Sequence, residues 1–333
     1  MRILVTGSAG FIGSHLVDEL ILQGHQVYGC DNFVGGFKRN INPLCKHYTV
    51  ELCDKYNVDL LFGLIEPDVV FHLACYPYEG LSQFSPVEVA DSVLMASLNV
   101  FKNCVNHNVK RVVHFSSMAR YGRRNLSPFS EDMPRDPCDV YGAAKVASEV
   151  SLEAISETTG LDYNILVPHN ISGSRMRLDD AYRGVLGIWV NRLMNNKPFH
   201  IYGDGEQMRA FSHVSDIIKP CIRAGLDNAV SKQIINLGAE KARTLNEVAQ
   251  ILLEVFGSNL EPIYVPDRPC EAKYAYCTVD KSKKLLKFKD TKFLEDIFFD
   301  IINDAKRLGK QIFRYKELEI TKGCPEIWLN KEI

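Results

Sequence analysis

The sequence predicts an α/β protein, a doubly wound parallel sheet with a smaller C-terminal lobe, and three observations carry that reading. Short β-rich runs alternate with longer helical stretches through the first half of the 333 residues. Runs such as Val69-Val-Phe71 and Val112-Val-His-Phe115 are apolar on both faces, as strands covered by helices on each side must be. A glycine-rich turn, with Gly7, Gly10 and Gly13, separates the first such run from the first helical stretch.

Taken in order, strands are expected at residues 2–6, 26–31, 48–52, 69–74, 111–116 and 163–167, and helices near 11–23, 87–107 and 140–159. After Pro168 the rhythm changes. Loops carrying Arg175, Arg177 and Arg183 precede a helix near 181–195, Ile201-Tyr-Gly-Asp-Gly205 marks a turn, and another helix follows near 245–256. The expected division is therefore residues 1–168 as the sheet domain and 169–333 as the smaller lobe, with segments near 210–240 returning to the first. No repeat or flexible linker interrupts the chain.

Bulk properties narrow the function. A net charge of -2 with interspersed signs gives no basic footprint for nucleic acid. Met1 runs straight into Arg2-Ile-Leu-Val-Thr6, without the pattern of a signal peptide, and no apolar run is long enough for a membrane span. The ten cysteines are scattered, and even the closest pair, Cys270 and Cys277, lacks Cys-x-x-Cys spacing and nearby histidines. Reduced thiols in a cytoplasmic protein without a metal site are the expectation.

The glycine turn suits a dinucleotide. Gly7 can make the tight turn, Gly10 lets the backbone approach a pyrophosphate, and Gly13 lets helix and sheet pack closely. The helix start then offers free N–H groups and a positive dipole end to phosphate. This is the Rossmann-type arrangement. Asp31 ends the second strand, where a carboxylate accepts both adenosine ribose hydroxyls and repels a 2′-phosphate. NAD is favoured over NADP, although Lys38 and Arg39 lie nearby. Glu51 could accept from the adenine amino group or be a plain surface acid.

Tyr141 and Lys145, four apart, share a helix face. Tyrosine's ordinary pKa near 10 is too high for an efficient base at neutral pH, and a neighbouring ammonium is expected to lower it. Lys145 could also hold the nicotinamide ribose. Ser117 follows the fifth strand, so its hydroxyl emerges at the carboxyl edge of the sheet, where it can relay a proton between a substrate hydroxyl and the tyrosine.

With these residues stand Phe71-His-Leu-Ala74, Asn99-Val, His169-Asn170, Arg209-Ala-Phe-Ser-His-Val-Ser-Asp216 and Asp267-Arg268-Pro-Cys-Glu271. Over nearly its whole length the chain resembles the extended short-chain dehydrogenases/reductases, in the nucleotide-sugar epimerase and dehydratase branch. The resemblance implies a C-terminal substrate-binding lobe and a cofactor wall that also includes Phe11, Ile12, Asn32, Leu52, Leu73 and Ala74. It implies that Asn170 contacts the substrate diphosphate or its sugar, and that Arg209 and Arg268 clamp the diphosphate. It also implies a homodimer built on the helices near 87–107 and 140–159. Three residues depart from the pattern. Pro77 stands where some galactose epimerases carry a lysine, Val167 replaces a common arginine, and Cys270 replaces a glycine.

Tyr141, Ser117 and Lys145 suit oxidation of a sugar at C4 with hydride passing to NAD. A dehydratase needs further acid/base groups, which relatives place directly after the serine; here those positions are Met118 and Ala119. An epimerase needs none. A nucleotide-sugar 4-epimerase acting on a UDP-hexose or UDP-N-acetylhexosamine through a 4-keto sugar is the leading expectation. A 4,6-dehydratase, a C4 dehydrogenase/reductase and a non-catalytic NAD-binding sensor are the alternatives. Small residues at Ala275 or Cys277 hint at room for an N-acetyl group.

Overall fold

The computed structural model describes residues 1–268 and 271–333. Seven parallel strands form the central sheet, in the order Gln233–Leu237, β6 (Asp162–Pro168), β5 (Arg111–Phe115), β4 (Val69–His72), β1 (Arg2–Thr6), β2 (Gln26–Asp31) and β3 (Lys46–Thr49). All of β4 and β5 is buried, so the apolar runs face helices on both sides. The chain order reverses between β1 and β4, and the carboxyl ends of these two strands open the crevice in which such sheets bind ligands.

Local chemistry explains the helix limits. In α1 (Phe11–Leu22) the N-cap is Gly10, which leaves the helix start free of any side-chain cap. In α2 (Lys55–Ile65) Asp54 caps the first turn by accepting from the amides of Tyr56 and Asn57. The stretch expected at 87–107 has the expected length but is less regular: α3 (Pro86–Ala90) passes through a π-helical turn at Asp91–Met95 into α4 (Ala96–Asn106). Helix α5 (Val140–Thr159) begins where the Asp139 carboxylate accepts from Gly142 N at 2.7 Å, and it ends at Gly160 with φ +78°.

Several boundaries shift. The third strand lies at Lys46–Thr49 rather than 48–52, because its register pairs Tyr28 with Lys46 and Asp31 with Thr49; Val50 to Leu52 have already left the sheet. Helices Lys55–Ile65 and Leu294–Leu308 fall outside the expected elements.

Beyond β6, helix Val214–Leu226 packs against α1 on the sheet, while Val185–Met194, Leu245–Phe256 and Leu294–Leu308 pack together around a second apolar core that includes Trp189, Phe199, Val248 and Phe298. Short strand pairs, Ile171–Ser172 with Ser212–His213 and Met208–Ala210 with Ala242–Thr244, sit at the junction. Cys30, Cys45, Cys53, Cys75, Cys104, Cys221, Cys277 and Cys324 are free thiols, and Cys270 lies outside the described residues. Among the described residues no helix is long and apolar enough to cross a membrane.

Candidate active site

Gly7 adopts φ +69° and donates to Cys30 O at 2.8 Å, which folds the β1–α1 turn back onto β2. A Cβ on Gly13 would lie 2.1 Å from Gly7 O, and one on Gly7 would lie 2.9 Å from Ala74 N. Neither position can carry a side chain while helix and sheet keep this spacing. Phe11 and Ile12 follow on the first turn of α1 and, with these glycines, line one wall of a deep cleft.

Asp31 is almost fully buried at the end of β2, on the wall of the same cleft. Its Oδ2 accepts from Ala9 N at 3.1 Å and its Oδ1 from Phe33 N at 2.8 Å. Burial pushes its pKa up, and the two amides pull it back. Each oxygen has a further lone pair, as recognition of a ribose diol requires. Asn32 donates to Glu51 Oε2 at 2.7 Å, while Glu51 Oε1 accepts from Cys53 N, so these two residues and Leu52 form one hydrogen-bonded corner. Leu73 and Ala74 are held to β1 through Thr6, whose hydroxyl accepts from Ala74 N. Lys38 and Arg39 turn onto the rings of Phe33 and Phe37. The side-chain-free turn and the carboxylate at the end of the next strand fit NAD.

The same cleft runs to Ser117, Tyr141 and Lys145, which the fold brings together from the end of β5 and from α5. Lys145 Nζ donates to Phe115 O at 2.6 Å and lies 5.8 Å from the Tyr141 ring centre. The phenol of Tyr141 is held well above its ordinary pKa, first by burial and then by the neighbouring Cys75. A hydrogen bond from Ser117 pulls it down, and the carboxylates of Glu79 and Asp139 push it up. This corrects the expectation that Lys145 would leave the tyrosine with a lowered pKa: burial dominates, and the Lys145 ammonium is bonded to the Phe115 carbonyl.

A second cleft meets the first at Asn170, which takes a left-handed φ of +40° and donates to Ala210 O at 3.2 Å. Met118 reaches this point too, with Sδ 3.8 Å from Asn170 Nδ2. Farther along, Glu271 Oε1 accepts from Arg209 Nη2 at 3.0 Å and from Arg268 Nη2 at 2.9 Å. Burial pushes the Glu271 carboxyl up, but Arg268 and Arg209 more than offset this and hold it below its ordinary range. Arg209 is also committed to the carbonyls of Met208, Ala272 and Lys273. Among the described residues Arg268 gives only Nε and one Nη2 proton, both to Glu271, and its guanidinium stacks over Tyr202 at 4.9 Å. The two arginines thus converge, but Arg268 has the donors to spare. Ala275 lines this cleft, whereas Cys277 is buried in the core. Pro77 lines both clefts, and Val167 is buried in β6.

Two carboxylates in this second cleft escaped the sequence reading. Glu79, in the loop that follows β4, lies within reach of the fields of Arg209 and Arg268. Asp139 caps α5 just before Tyr141, and burial together with the Glu79 charge raises its pKa to about 7. The capping aspartate is readable from sequence; its place on the cleft wall is not.

Residues 3–238 match the model of the NAD dependent epimerase/dehydratase family. The chain belongs to this family. Among relatives, it is 32% identical over 284 residues to a putative UDP-glucose 4-epimerase of Methanocaldococcus jannaschii, covering 85% of this chain and 92% of that one. It is 29% identical over 300 residues to UDP-glucuronic acid decarboxylase 1 of Danio rerio, covering 89% of this chain and 70% of that one. The structure of the Thermotoga maritima UDP-glucose 4-epimerase with UDP-glucose superimposes with a TM-score of 0.89 at 30% identity. That match covers 92% of this chain and 99% of the other, so part of this chain has no counterpart in it. Members of the epimerase/dehydratase family depend on NAD, and these relatives are UDP-sugar epimerases and decarboxylases.

Proposed function

We propose that this chain is an NAD-dependent 4-epimerase of a UDP-hexose or UDP-N-acetylhexosamine. The observation that carries the reading is the environment directly after Ser117. Met118 and the buried Ala119, whose amide bonds to Ser117 Oγ at 3.2 Å, put no acid or base at the positions that elimination or decarboxylation would use. Oxidation and return of hydride at one carbon need only a single proton shuttle.

When bound, NAD would supply the hydride acceptor for oxidation at C4 and a positive charge that favours the Tyr141 phenolate. Tyr141, through Ser117, takes the C4 hydroxyl proton and later returns it. Lys145, anchored on the Phe115 carbonyl, holds its charge at the end of β5, near the nicotinamide ribose in this reading. Arg268 supplies donors to the substrate diphosphate, with Arg209 and Glu271 fixing its guanidinium. The helices α3 to α5 and the turn between them, which expose Val87, Met95 and Val150, would pair in a homodimer.

A second reading, a 4,6-dehydratase, is favoured by one observation: Asp139, with a pKa near 7 in the same cleft, can hold a proton at neutral pH. Incubation with a panel of UDP-, GDP-, dTDP- and CDP-sugars, followed by NMR, separates the two. A C4-inverted sugar supports the epimerase, and a 6-deoxy-4-keto product replaces it with the dehydratase.

A further inference from the structure

After the helix Leu294–Leu308 ends at Gly309, the chain does not stay with the second lobe. Residues 309–333 run back across the junction of the two clefts. Arg314 N donates to Asp179 O at 2.7 Å, and Ile320 N donates to Phe84 O at 2.9 Å. The Glu319 carboxylate accepts from Val87 N and Glu88 N, both at 2.9 Å. It thereby caps α3 from a distance, since Ser85 at the N-cap makes no side-chain cap. Lys316 pairs with Glu88 and stacks over Tyr76, a cofactor-cleft residue, at 4.4 Å.

The segment ends inside the second cleft. Trp328 is 3% exposed and Ile333 6%, and both line the cleft wall. Trp328 Nε1 donates to Tyr202 Oη at 2.9 Å, and its ring packs edge-on against Tyr182 and Phe84. Gly80 makes room for it: a Cβ there would sit 3.2 Å from the indole. Tyr202, fixed by this bond, is the ring over which Arg268 stacks. Cys324, Trp328 and Ile333 share one apolar cluster with Tyr78, Ala119 and Tyr141. In length, the segment is comparable with the share of this chain that the Thermotoga enzyme leaves unmatched.

We propose that residues 309–333 are a built-in wall of the nucleotide-sugar cleft, in which Trp328 sets the position of Tyr202 and hence of Arg268. The inference rests on the reading that this cleft takes a nucleotide sugar. It assigns the segment to substrate and not to cofactor, because among the described residues none beyond Gly184 lines the NAD cleft. The segment acts as a positioning element: it completes the site without touching the reacting atoms.

The experiment compares the intact protein with Trp328→Phe, which keeps a ring but loses the donor to Tyr202, and with a chain ending at Leu308. NAD affinity is read by fluorescence, UDP and UDP-glucose affinity by calorimetry, and KM and kcat by product NMR. The Trp328→Phe protein should bind NAD as the parent does, with UDP and UDP-glucose weakened several-fold and KM raised more than kcat is lowered. The shortened chain should lose about tenfold or more in UDP affinity, as loss of a buried aromatic anchor does. In the intact protein, amide exchange of residues 309–333 should slow on adding UDP. Unchanged UDP affinity in both variants, a parallel loss of NAD and UDP affinity in Trp328→Phe, or no added protection would each overturn the proposal. A parent that binds UDP and gains protection but inverts no sugar would leave the wall standing and remove only the epimerase reading.

Discussion

Lys145 Nζ donates to the main-chain carbonyl of Phe115 at 2.6 Å, so the ammonium is seated at the end of β5 and not on the phenol of Tyr141. The lysine is 2% exposed, and the carbonyl it satisfies belongs to the strand that leads into Ser117. One hydrogen bond therefore ties the strand leading to the serine to the helix carrying the tyrosine, and it helps fix the separation of the two hydroxyls.

From this, Lys145→Met should cost more than a charge. It removes the ammonium and leaves Phe115 O without its donor, which costs about 1–3 kcal/mol for a buried group. Turnover should fall about 10²–10⁴-fold, the usual contribution of a positioned base. Tyr141→Phe should lose turnover to the same degree while thermal stability and NAD binding hold. Steady-state rates beside NAD fluorescence titration check both. Retained turnover in Tyr141→Phe would remove the tyrosine from the chemistry.

Much of this framework is legible in the sequence because it is local. Helix α5 announces itself by Asp139 at one end and Gly160 at the other, and the glycine turn by its place between strand and helix. In helix Leu294–Leu308 the buried Leu294, Ile297, Phe298, Ile301, Ile302 and Ala305 follow helical spacing, yet the stretch around them is mixed in pattern and hides the element. Glu79 is different. It sits beside no motif, and what makes it notable is proximity to Arg209, Arg268 and Asp139, all distant from it along the chain. The raised pKa of Tyr141 is hidden for the same reason, because burial is set by elements that close over the side chain from distant parts of the chain.

Glu79→Gln should shift a pH profile. Asp139 titrates near 7 because burial and the Glu79 charge both disfavour its ionised form. Removing that charge lets the proton leave more easily, so the corresponding ionisation in kcat/KM should move toward lower pH. The two carboxyls titrate as a pair, and the profile reports their joint behaviour. Rates across pH 5 to 9 test this. A limb that moves toward higher pH, or stays in place, would separate Glu79 from Asp139.

Acid should unfold the protein earlier than its carboxylates alone would require. His72 and His169 are fully buried, and desolvation lowers both to about 3. In the unfolded chain they protonate near 6.5. Between these values the unfolded state binds more protons, so stability falls as pH drops below about 6.5 and continues falling toward 3. Each histidine should cost up to about 1.4 kcal/mol per pH unit in that window, or roughly 3 kcal/mol for the pair between pH 6.5 and 5, since the unfolded imidazole is half protonated at 6.5. Urea unfolding at pH 7 and pH 5 measures it. His169→Gln should flatten the dependence by one histidine's share, and an unchanged slope would mean that His169 is solvated before the fold opens.

Asp31 offers the clearest separation of cofactor recognition from folding. Its two oxygens already accept from Ala9 N and Phe33 N, so the carboxylate organises the loop before any ribose arrives. Asp31→Asn keeps one acceptor and replaces the other with a donor that faces an amide. NAD affinity should fall about 10–100-fold, since hydrogen bonds to a charged group contribute about 1.5–3 kcal/mol each. NADP affinity should fall less or rise, because the repulsion of a 2′-phosphate is gone. The ratio of the two dissociation constants is therefore the decisive measurement, as a general loosening of the loop would weaken both dinucleotides alike. Equal losses for NAD and NADP would assign Asp31 to the loop alone, and a collapse of the ratio would assign it to the ribose.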